Sequence, residues 1–268
     1  GYAYASGKWN VQILLQHMNA EEAQSVLDKI TADSRRTSSE PSKVFSSRYK
    51  WPLTLAFLLA AFNQLSGINF ILYYAPEILL KAGFGSADSL FSSIFIGFVN
   101  LVFTMIGVSL IDRLGRKKLM YIGSIGYILS LVMVGIGFYL DTNAYFKLVF
   151  ILIFIASHAI GQGAVIWVFI SEIFPNKVRS YGQAFGSGVH WIFAALITLF
   201  GSVLINSLDP WIVFWLFAGF MVMQLLFVIF LMPETKGVPL EDLQTKLMKS
   251  KRHSVDAAKK NIETTYAA

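Results

Sequence analysis

The sequence predicts an all-α membrane protein built around a bundle of six transmembrane helices. Hydrophobic residues make up 55% of the 268-residue chain and charged residues only 14%, whereas a soluble domain usually carries about 25% charged residues. A helix needs about 20 apolar residues to cross the bilayer core, and six segments meet that requirement. These segments lack strict alternation and are too long for barrel strands, so helices are the spanning structure that fits.

The predicted bundle occupies residues 51–233. Its first span, at about 52–80, is interrupted by Gly67 and Pro76. The other five spans lie near 90–111, 119–140, 148–171, 183–206 and 211–232. Asp, Glu, Lys and Arg are absent from Leu90 to Ile111, from Leu119 to Leu140, from Ser180 to Leu208 and from Pro210 to Pro233.

The two flanking regions are polar. Residues 1–50 are predicted to form a cytoplasmic linker with a short amphipathic helix at 20–30, because Ala23, Val26, Leu27 and Ile30 share one helical face. Residues 234–268 are predicted to form a charged cytoplasmic tail.

The distribution of basic residues predicts the orientation of the bundle. Lys and Arg cluster at 112–118, at 172–179 and in the tail, whereas the opposite loops offer only Lys81 and Lys147. Cytoplasmic loops of membrane proteins carry an excess of Lys and Arg. Both termini are therefore expected in the cytoplasm, and the net charge of +6 does not call for a nucleic-acid partner.

The residues that catalysis and metal binding require are scarce. The chain contains no cysteine and only four histidines, which excludes thiolate sites and disfavours a transition-metal site. No nucleophile–base pair can be assembled, and Gly186-Ser187-Gly188 follows no strand and precedes no Lys-Ser or Lys-Thr pair. We therefore expect neither an enzyme nor a bound cofactor.

Polar side chains gather in the first span, at Asn63, Gln64, Asn69 and Tyr73. Polar groups at membrane depth are costly and face a bundle interior or a cavity. Amides and phenols donate and accept hydrogen bonds without charge, which suits a neutral polyhydroxyl ligand. The alternative is that these groups only hold helices together, but their clustering around a broken helix favours a cavity.

Three later spans contribute further candidates. Asn100 suits cavity lining and helix–helix bonding equally well. Trp167 can present an apolar platform to a sugar ring, or it can belong to the aromatic belt at the membrane interface. His190 and Trp191 lie well inside the fifth span; because histidine titrates near neutral pH, proton coupling at His190 is open beside an ordinary packing role.

Four short motifs within residues 60–240 resemble the sugar porter family of the major facilitator superfamily. They are Gln64-Leu65-Ser66-Gly67-Ile68-Asn69 followed by Tyr73-Tyr74, Asp112-Arg113-Leu114-Gly115-Arg116-Lys117, Glu172-Ile173-Phe174-Pro175 with Val178-Arg179, and Pro233-Glu234-Thr235-Lys236-Gly237. The family includes glucose facilitators and bacterial sugar–proton symporters. The resemblance implies that the chain is the C-terminal half of a major facilitator fold and that it transports a monosaccharide, a hexose or a pentose, by alternating access.

The resemblance also implies roles for individual residues. The implied substrate-binding residues are Gln64, Asn69, Tyr73, Asn100, Trp167 and Trp191, together with Asn63 and His190. Asn63 lies where relatives often have Gln, and His190 lies where they often have Asn or Gln. The implied cytoplasmic gate consists of ion pairs among Asp112, Arg116, Glu172 and Arg179, which hold the outward-open state. The fourth span lacks the prolines common around the family's Gly-rich bend, so mobility there is expected to rest on its glycines.

A second six-helix bundle is required for alternating access. The N-terminal half is therefore expected on a separate chain or in a longer gene; a homodimer of identical halves is the less favoured alternative. The expected partners are a sugar, the lipid bilayer and, in a symporter, a proton whose coupling groups lie mainly in the other half. The sequence from Gly161 to Trp167 resembles that of bacterial relatives, which implies a location in a bacterial inner membrane.

Two other functions are compatible with the same residues. The amides would equally serve transport of another neutral polyol, such as inositol. A non-transporting sugar sensor, or an inactive fragment, would retain the same motifs.

Overall fold

The computed structural model describes residues 44–176 and 178–238, and all regular elements within them are helical. A short 3-10 turn, Ser47–Tyr49, precedes the first helix, and a π-helical turn, Ala159–Gly163, joins α6 to α7. The α-helices are α1 (Lys50–Leu65), α2 (Ile68–Tyr73), α3 (Ala75–Ala82), α4 (Ser86–Leu114), α5 (Arg116–Tyr139), α6 (Ala144–His158), α7 (Ala164–Ile173), α8 (Arg179–Ser207) and α9 (Pro210–Phe230).

Six stretches of the described chain are long and apolar enough to cross a membrane, which confirms the predicted fold class. Most of these helices extend beyond the predicted apolar segments. The second span, for example, is predicted at 90–111 but runs from Ser86 to Leu114. The difference arises because backbone hydrogen bonding continues through polar end turns, whereas an apolar run marks only the part inside the hydrocarbon.

The first span is broken in two places, as its Gly and Pro residues predict. After α1 ends at Leu65, Gly67 adopts the left-handed conformation with φ of 82°. A Cβ atom at Gly67 would lie 2.5 Å from the ring of Phe217, so only glycine fits this position without strain. The second break is at Tyr74, and Pro76 occupies the first turn of α3, where its missing N–H costs no helical bond.

Two hydrophobic cores lie at opposite ends of the bundle, with buried polar side chains between them. In α5, Leu119 and Met120 belong to the first core and Tyr127 to the second, with Ser124 between them. In the first, fourth and sixth spans, too, buried polar residues lie between residues of the first core and residues of the second. We call the buried polar residues at this depth the polar layer; they are Asn63, Gln64, Ser124, His158, Gln162 and Gln224.

The bend of the fourth span is a π-helical turn that packs backbone to backbone against its neighbours. A Cβ atom added to Gly123 of α5 would lie 2.9 Å from the Cα atom of Gly161, and one added to Gly107 of α4 would lie 2.8 Å from the carbonyl oxygen of Ala159. The π-helical turn therefore lies in a slot lined by glycine. Of the glycines predicted to allow mobility in this span, Gly161 is part of that packing, whereas Gly163 meets only His158 of its own span.

Several predictions fall on residues outside the described ranges. They are the amphipathic helix at 20–30, the rest of the linker up to residue 43, and the tail from residue 239 onward. These stay predictions.

We expect Gly123→Ala to destabilise the protein and Gly97→Ala to leave it unchanged or more stable. Alanine is a better helix former than glycine by about 1 kcal/mol, and nothing lies within 4 Å of a Cβ atom at Gly97 of α4. At Gly123 the added methyl group would overpack the slot, at a cost of about 1–3 kcal/mol. Thermal unfolding of the two purified variants in detergent checks this; equal unfolding temperatures would contradict the packing described here.

Candidate functional site

The side chain of Gln64 lies at the end of α1, just before the break at Gly67. It is 1% exposed. Its Nε2 donates to Oδ1 of Asn63 at 2.9 Å and also lies 3.2 Å and 3.3 Å from the ring nitrogens of His190 on α8. Its Oε1 is buried and has no hydrogen-bond partner within the described part of the chain. One acceptor is therefore left unpaired at the centre of the polar layer.

Aromatic rings flank this amide. The ring of His190 packs against Trp167 of α7, with centroids 5.1 Å apart, and against Trp191 of α8, with centroids 5.2 Å apart. Trp167 is 43% exposed and Trp191 is 61% exposed. The two indole faces therefore open toward the outside of this six-helix unit.

This arrangement favours a neutral, hydroxylated ligand. A buried acceptor without a partner costs about 1–3 kcal/mol, and a ligand hydroxyl that donates to Oε1 of Gln64 would remove that cost. The indole faces of Trp167 and Trp191 offer apolar contact to the C–H face of a sugar ring. Within residues 44–176 and 178–238, no group of three or more His, Asp or Glu side chains could hold a metal ion.

The structure links five of the predicted binding residues through a chain of contacts and leaves three outside that group. The five connected residues are Asn63, Gln64, Trp167, His190 and Trp191. The other three are Asn69, Tyr73 and Asn100.

The three outlying residues lie on two other helices. Asn69 and Tyr73 lie one turn apart on α2 and share a face; Asn69 is half-buried and Tyr73 is 57% exposed. Asn100 is half-buried on α4. None of the three side chains hydrogen-bonds to a residue that the structure describes, and their roles in binding stay predictions.

The second predicted cluster, at the ends of the spans, is centred on Arg116. Its Nη2 and Nε donate to the two carboxylate oxygens of Glu172 at 2.7 Å and 3.0 Å, and its Nη1 donates to Asp112 at 3.2 Å. The Arg116 side chain is 10% exposed, against 27% for Glu172 and 82% for Asp112. The hydroxyl group of Thr235 donates to Glu172 at 2.6 Å. The paired bonds to Glu172 use the planar fork of the guanidinium group and make this contact the stronger one.

Arg179 lies outside these ion pairs, which corrects the sequence-based assignment. Its Nε donates to the carbonyl oxygen of Phe174 at 3.4 Å, and among the described residues it pairs with neither Asp112 nor Glu172. Phe174 caps the C-terminal end of α7 in an extended conformation, where the last carbonyl groups of a helix lack partners. The arginine therefore supports a helix end.

Glu234 is a participant that sequence reasoning did not single out. Its carboxylate accepts the backbone N–H groups of Arg116 and Lys117 at 3.0 Å each, at the first turn of α5. Gly115, with φ of 88°, makes room, because a Cβ atom there would lie 2.7 Å from Oε2 of Glu234. Negative charge is favoured at a helix N-terminus. Two features of the sequence could have indicated this contact. The helix α5 begins after Gly115 without a capping side chain, and Glu234 follows the sixth span on the same side of the bundle.

The chain is similar to known proteins of several organisms. A family model described as "Sugar (and other) transporter" matches residues 11–247. The facilitated trehalose transporter Tret1 of Bombyx mori is 36% identical over 245 residues, 88% of this chain and 48% of that protein. The arabinose-proton symporter of Bacillus subtilis is 37% identical over 204 residues, 76% of this chain and 44% of that protein.

The chain is also similar to a solved structure. The proton:xylose symporter XylE bound to 6-bromo-6-deoxy-D-glucose matches with a TM-score of 0.71 and 29% identity, over 88% of this chain and 51% of that one. The chain thus spans about half the length of the relatives it matches.

We expect Glu172→Gln to destabilise the protein far more than Asp112→Asn. Loss of one charge from a mostly buried ion pair costs up to about 3–5 kcal/mol, because glutamine keeps one acceptor oxygen but carries no charge to balance that of Arg116. An exposed pair such as Asp112 with Arg116 contributes about 1 kcal/mol or less. Thermal unfolding in detergent measures both variants, and similar losses would show that the Glu172 contact is no stronger than the exposed one.

Proposed function

The chain belongs to the sugar porter family of the major facilitator superfamily, and on that premise we propose that it forms one half of a carrier that moves a neutral monosaccharide across a membrane by alternating access. Its relatives are transporters rather than enzymes. The observation that carries the proposal is the unpaired Oε1 atom of Gln64, whose amide contacts His190 through Nε2, next to two exposed indole rings that pack against that imidazole.

Recognition of the sugar follows from this chemistry. The Oε1 atom of Gln64 accepts a sugar hydroxyl, while its Nε2 remains bound to Asn63 and His190. Trp167 and Trp191 cover an apolar face of the ring. These groups carry no permanent charge, so binding selects a neutral solute, and hexoses, pentoses and inositol-like polyols all fit that class. Asn69, Tyr73 and Asn100 are proposed to complete the site once the second half of the transporter is in place.

A second six-helix half is proposed to close the site. The exposed faces of Trp167 and Trp191 leave it open on one side, and the chain spans about half the length of its relatives. Alternating access needs two bundles that rock around a site near the midplane. The position of Gln64 in the polar layer, between two hydrophobic cores, supports a site at such a depth.

The ion pairs of Arg116 are proposed to act as the cytoplasmic gate. They join the loop after α4 to the end of α7, and Thr235 adds the segment after α9. These loops carry the basic clusters that predict the cytoplasmic side. In this proposal the pairs hold the outward-open state and separate as the carrier turns inward.

The proposed location is the cell membrane, with both termini in the cytoplasm. The described basic residues near the first core include Arg113, Arg116, Lys117 and Lys118, whereas Lys81 and Lys147 lie at the other end. A bacterial inner membrane is compatible with the similarity to the Bacillus subtilis protein. A proton is proposed as a co-substrate because that relative is named a proton symporter.

Uptake assays test the transport proposal. The chain would be expressed with an N-terminal six-helix half in cells that lack sugar carriers, and supplied with labelled arabinose, xylose, glucose, trehalose or inositol. Saturable uptake is expected for at least one monosaccharide. A protonophore should abolish accumulation if a proton is carried with the sugar.

Gln64→Ala and Trp167→Ala should each raise the KM for uptake about tenfold, because a lost hydrogen bond or stacking contact to a neutral ligand is worth about 1 kcal/mol or slightly more. Asn206→Ala is the matched control, since its amide only bonds Ser202 of its own helix. Specific sugar binding without uptake would indicate that the protein is a sugar sensor and not a carrier. Absence of both binding and uptake would indicate an inactive protein.

A further inference from the structure

A chain of hydrogen bonds crosses the interior of the bundle behind the candidate site. Nε2 of Gln162 donates to Oε1 of Gln224, Nε2 of Gln224 donates to the hydroxyl group of Ser124 at 2.8 Å, and that hydroxyl donates to the carbonyl oxygen of Met120 at 2.7 Å. The side chains of Gln162, Gln224 and Ser124 are fully buried. This buried chain links the π-helical turn of the fourth span to α9 and to α5.

The π-helical turn sets the direction in which the following helix presents its side chains. An α-helix turns about 100° per residue, and a π-helical turn accommodates roughly one additional residue. If the turn relaxed to a regular α-helix, α7 would rotate by about 100° relative to α6. Ile166, which is 1% exposed, would then take the direction of Trp167.

Two kinds of contact hold the π-helical turn in the register seen here. Close backbone packing is the first, because a Cβ atom at Gly107 of α4 or at Gly123 of α5 would lie 2.8 Å or 2.9 Å from an atom of the turn. The second is the hydrogen bond from Nε2 of Gln162 to Gln224, while Oε1 of Gln162 is buried without a partner among the described residues. The hydrogen bond to Gln224 is specific to the register seen here.

We propose that Gln162 and Gln224 are positioning residues, whose hydrogen bond holds the π-helical turn in register and thereby directs Trp167 toward His190 and the candidate site. The two glutamines act through Trp167 and do not touch the sugar themselves. Loss of their bond lets the turn relax and rotates Trp167 away. This inference rests on the proposed sugar site, because it explains how one wall of that site is oriented.

A role limited to satisfying buried amides makes a different prediction for paired substitutions. Gln162→Leu or Gln224→Leu alone leaves the other amide unpaired, whereas the double variant removes both amides and leaves Ser124 bound to Met120. Replacing both partners by apolar groups of similar size is often nearly neutral for stability. We expect the double variant to unfold at nearly the wild-type temperature but to retain the roughly tenfold rise in KM expected for loss of Trp167. Recovery of the wild-type KM in the double variant would overturn the proposal.

Cysteine labelling tests the rotation without any need for transport. The chain has no cysteine, so Ile166→Cys and Trp167→Cys can be introduced singly and treated with a maleimide in membranes that hold the chain together with its N-terminal half. With both glutamines present, Trp167→Cys should react faster. In the Gln162→Leu, Gln224→Leu background the order should reverse, with Ile166→Cys the faster.

Ser109→Ala is the matched control background, because that hydroxyl group bonds only to Met105 of its own helix, and it should leave the order unchanged. An unchanged order in the double-leucine background would overturn the inference. If the order of the two labelling rates reverses in a protein that neither binds nor moves sugar, the positioning role is upheld and the proposed transport is refuted. Failure of the inference and failure of the proposed function are therefore distinguishable.

Discussion

The organisation of this bundle depends on the high cost of unpaired polar groups in a medium without water. The polar layer lies between two hydrophobic cores, so most of its side chains must find partners within the protein. Those that do, such as Gln224 with Ser124, link spans that are distant in sequence. Two of them, Gln64 and Gln162, leave a side-chain oxygen unpaired among the described residues: the first belongs to the candidate site, and the second to the π-helical turn of the fourth span.

The overall architecture could be predicted from sequence because long apolar runs between charged loops have few alternatives in a membrane. Gly67 and Pro76 likewise indicated the breaks in the first span, since glycine permits a positive φ whereas proline restricts φ and lacks a backbone N–H. The π-helical turn could not be predicted in this way. Ala159 to Gly163 contains no residue that requires it, and its partners on α4, α5 and α9 are remote in sequence. Tertiary packing decides the helix type there.

Part of the candidate site could also be predicted from the sequence. Gln64, Trp167 and His190 belong to motifs or dense polar clusters, and the structure connects them. The ion pairs of Arg116 follow from opposite charges in neighbouring loops. Arg179 differs because an unpaired helix-end carbonyl lies nearby, which no charge pattern reveals. Glu234 was overlooked because it binds backbone N–H groups, and these are present at every residue other than proline.

The contact between Glu234 and the start of α5 has a consequence for sequence variation. A carboxylate that recognises main-chain N–H groups is indifferent to the side chains those groups carry, so the identities of Arg116 and Lys117 are free, as far as this attachment is concerned, to respond to other demands such as ion pairing or membrane orientation. Only Glu234 and Gly115 depend on each other in this contact, because a larger residue at Gly115 would displace the carboxylate of Glu234. Among homologous chains these two positions should change together or not at all.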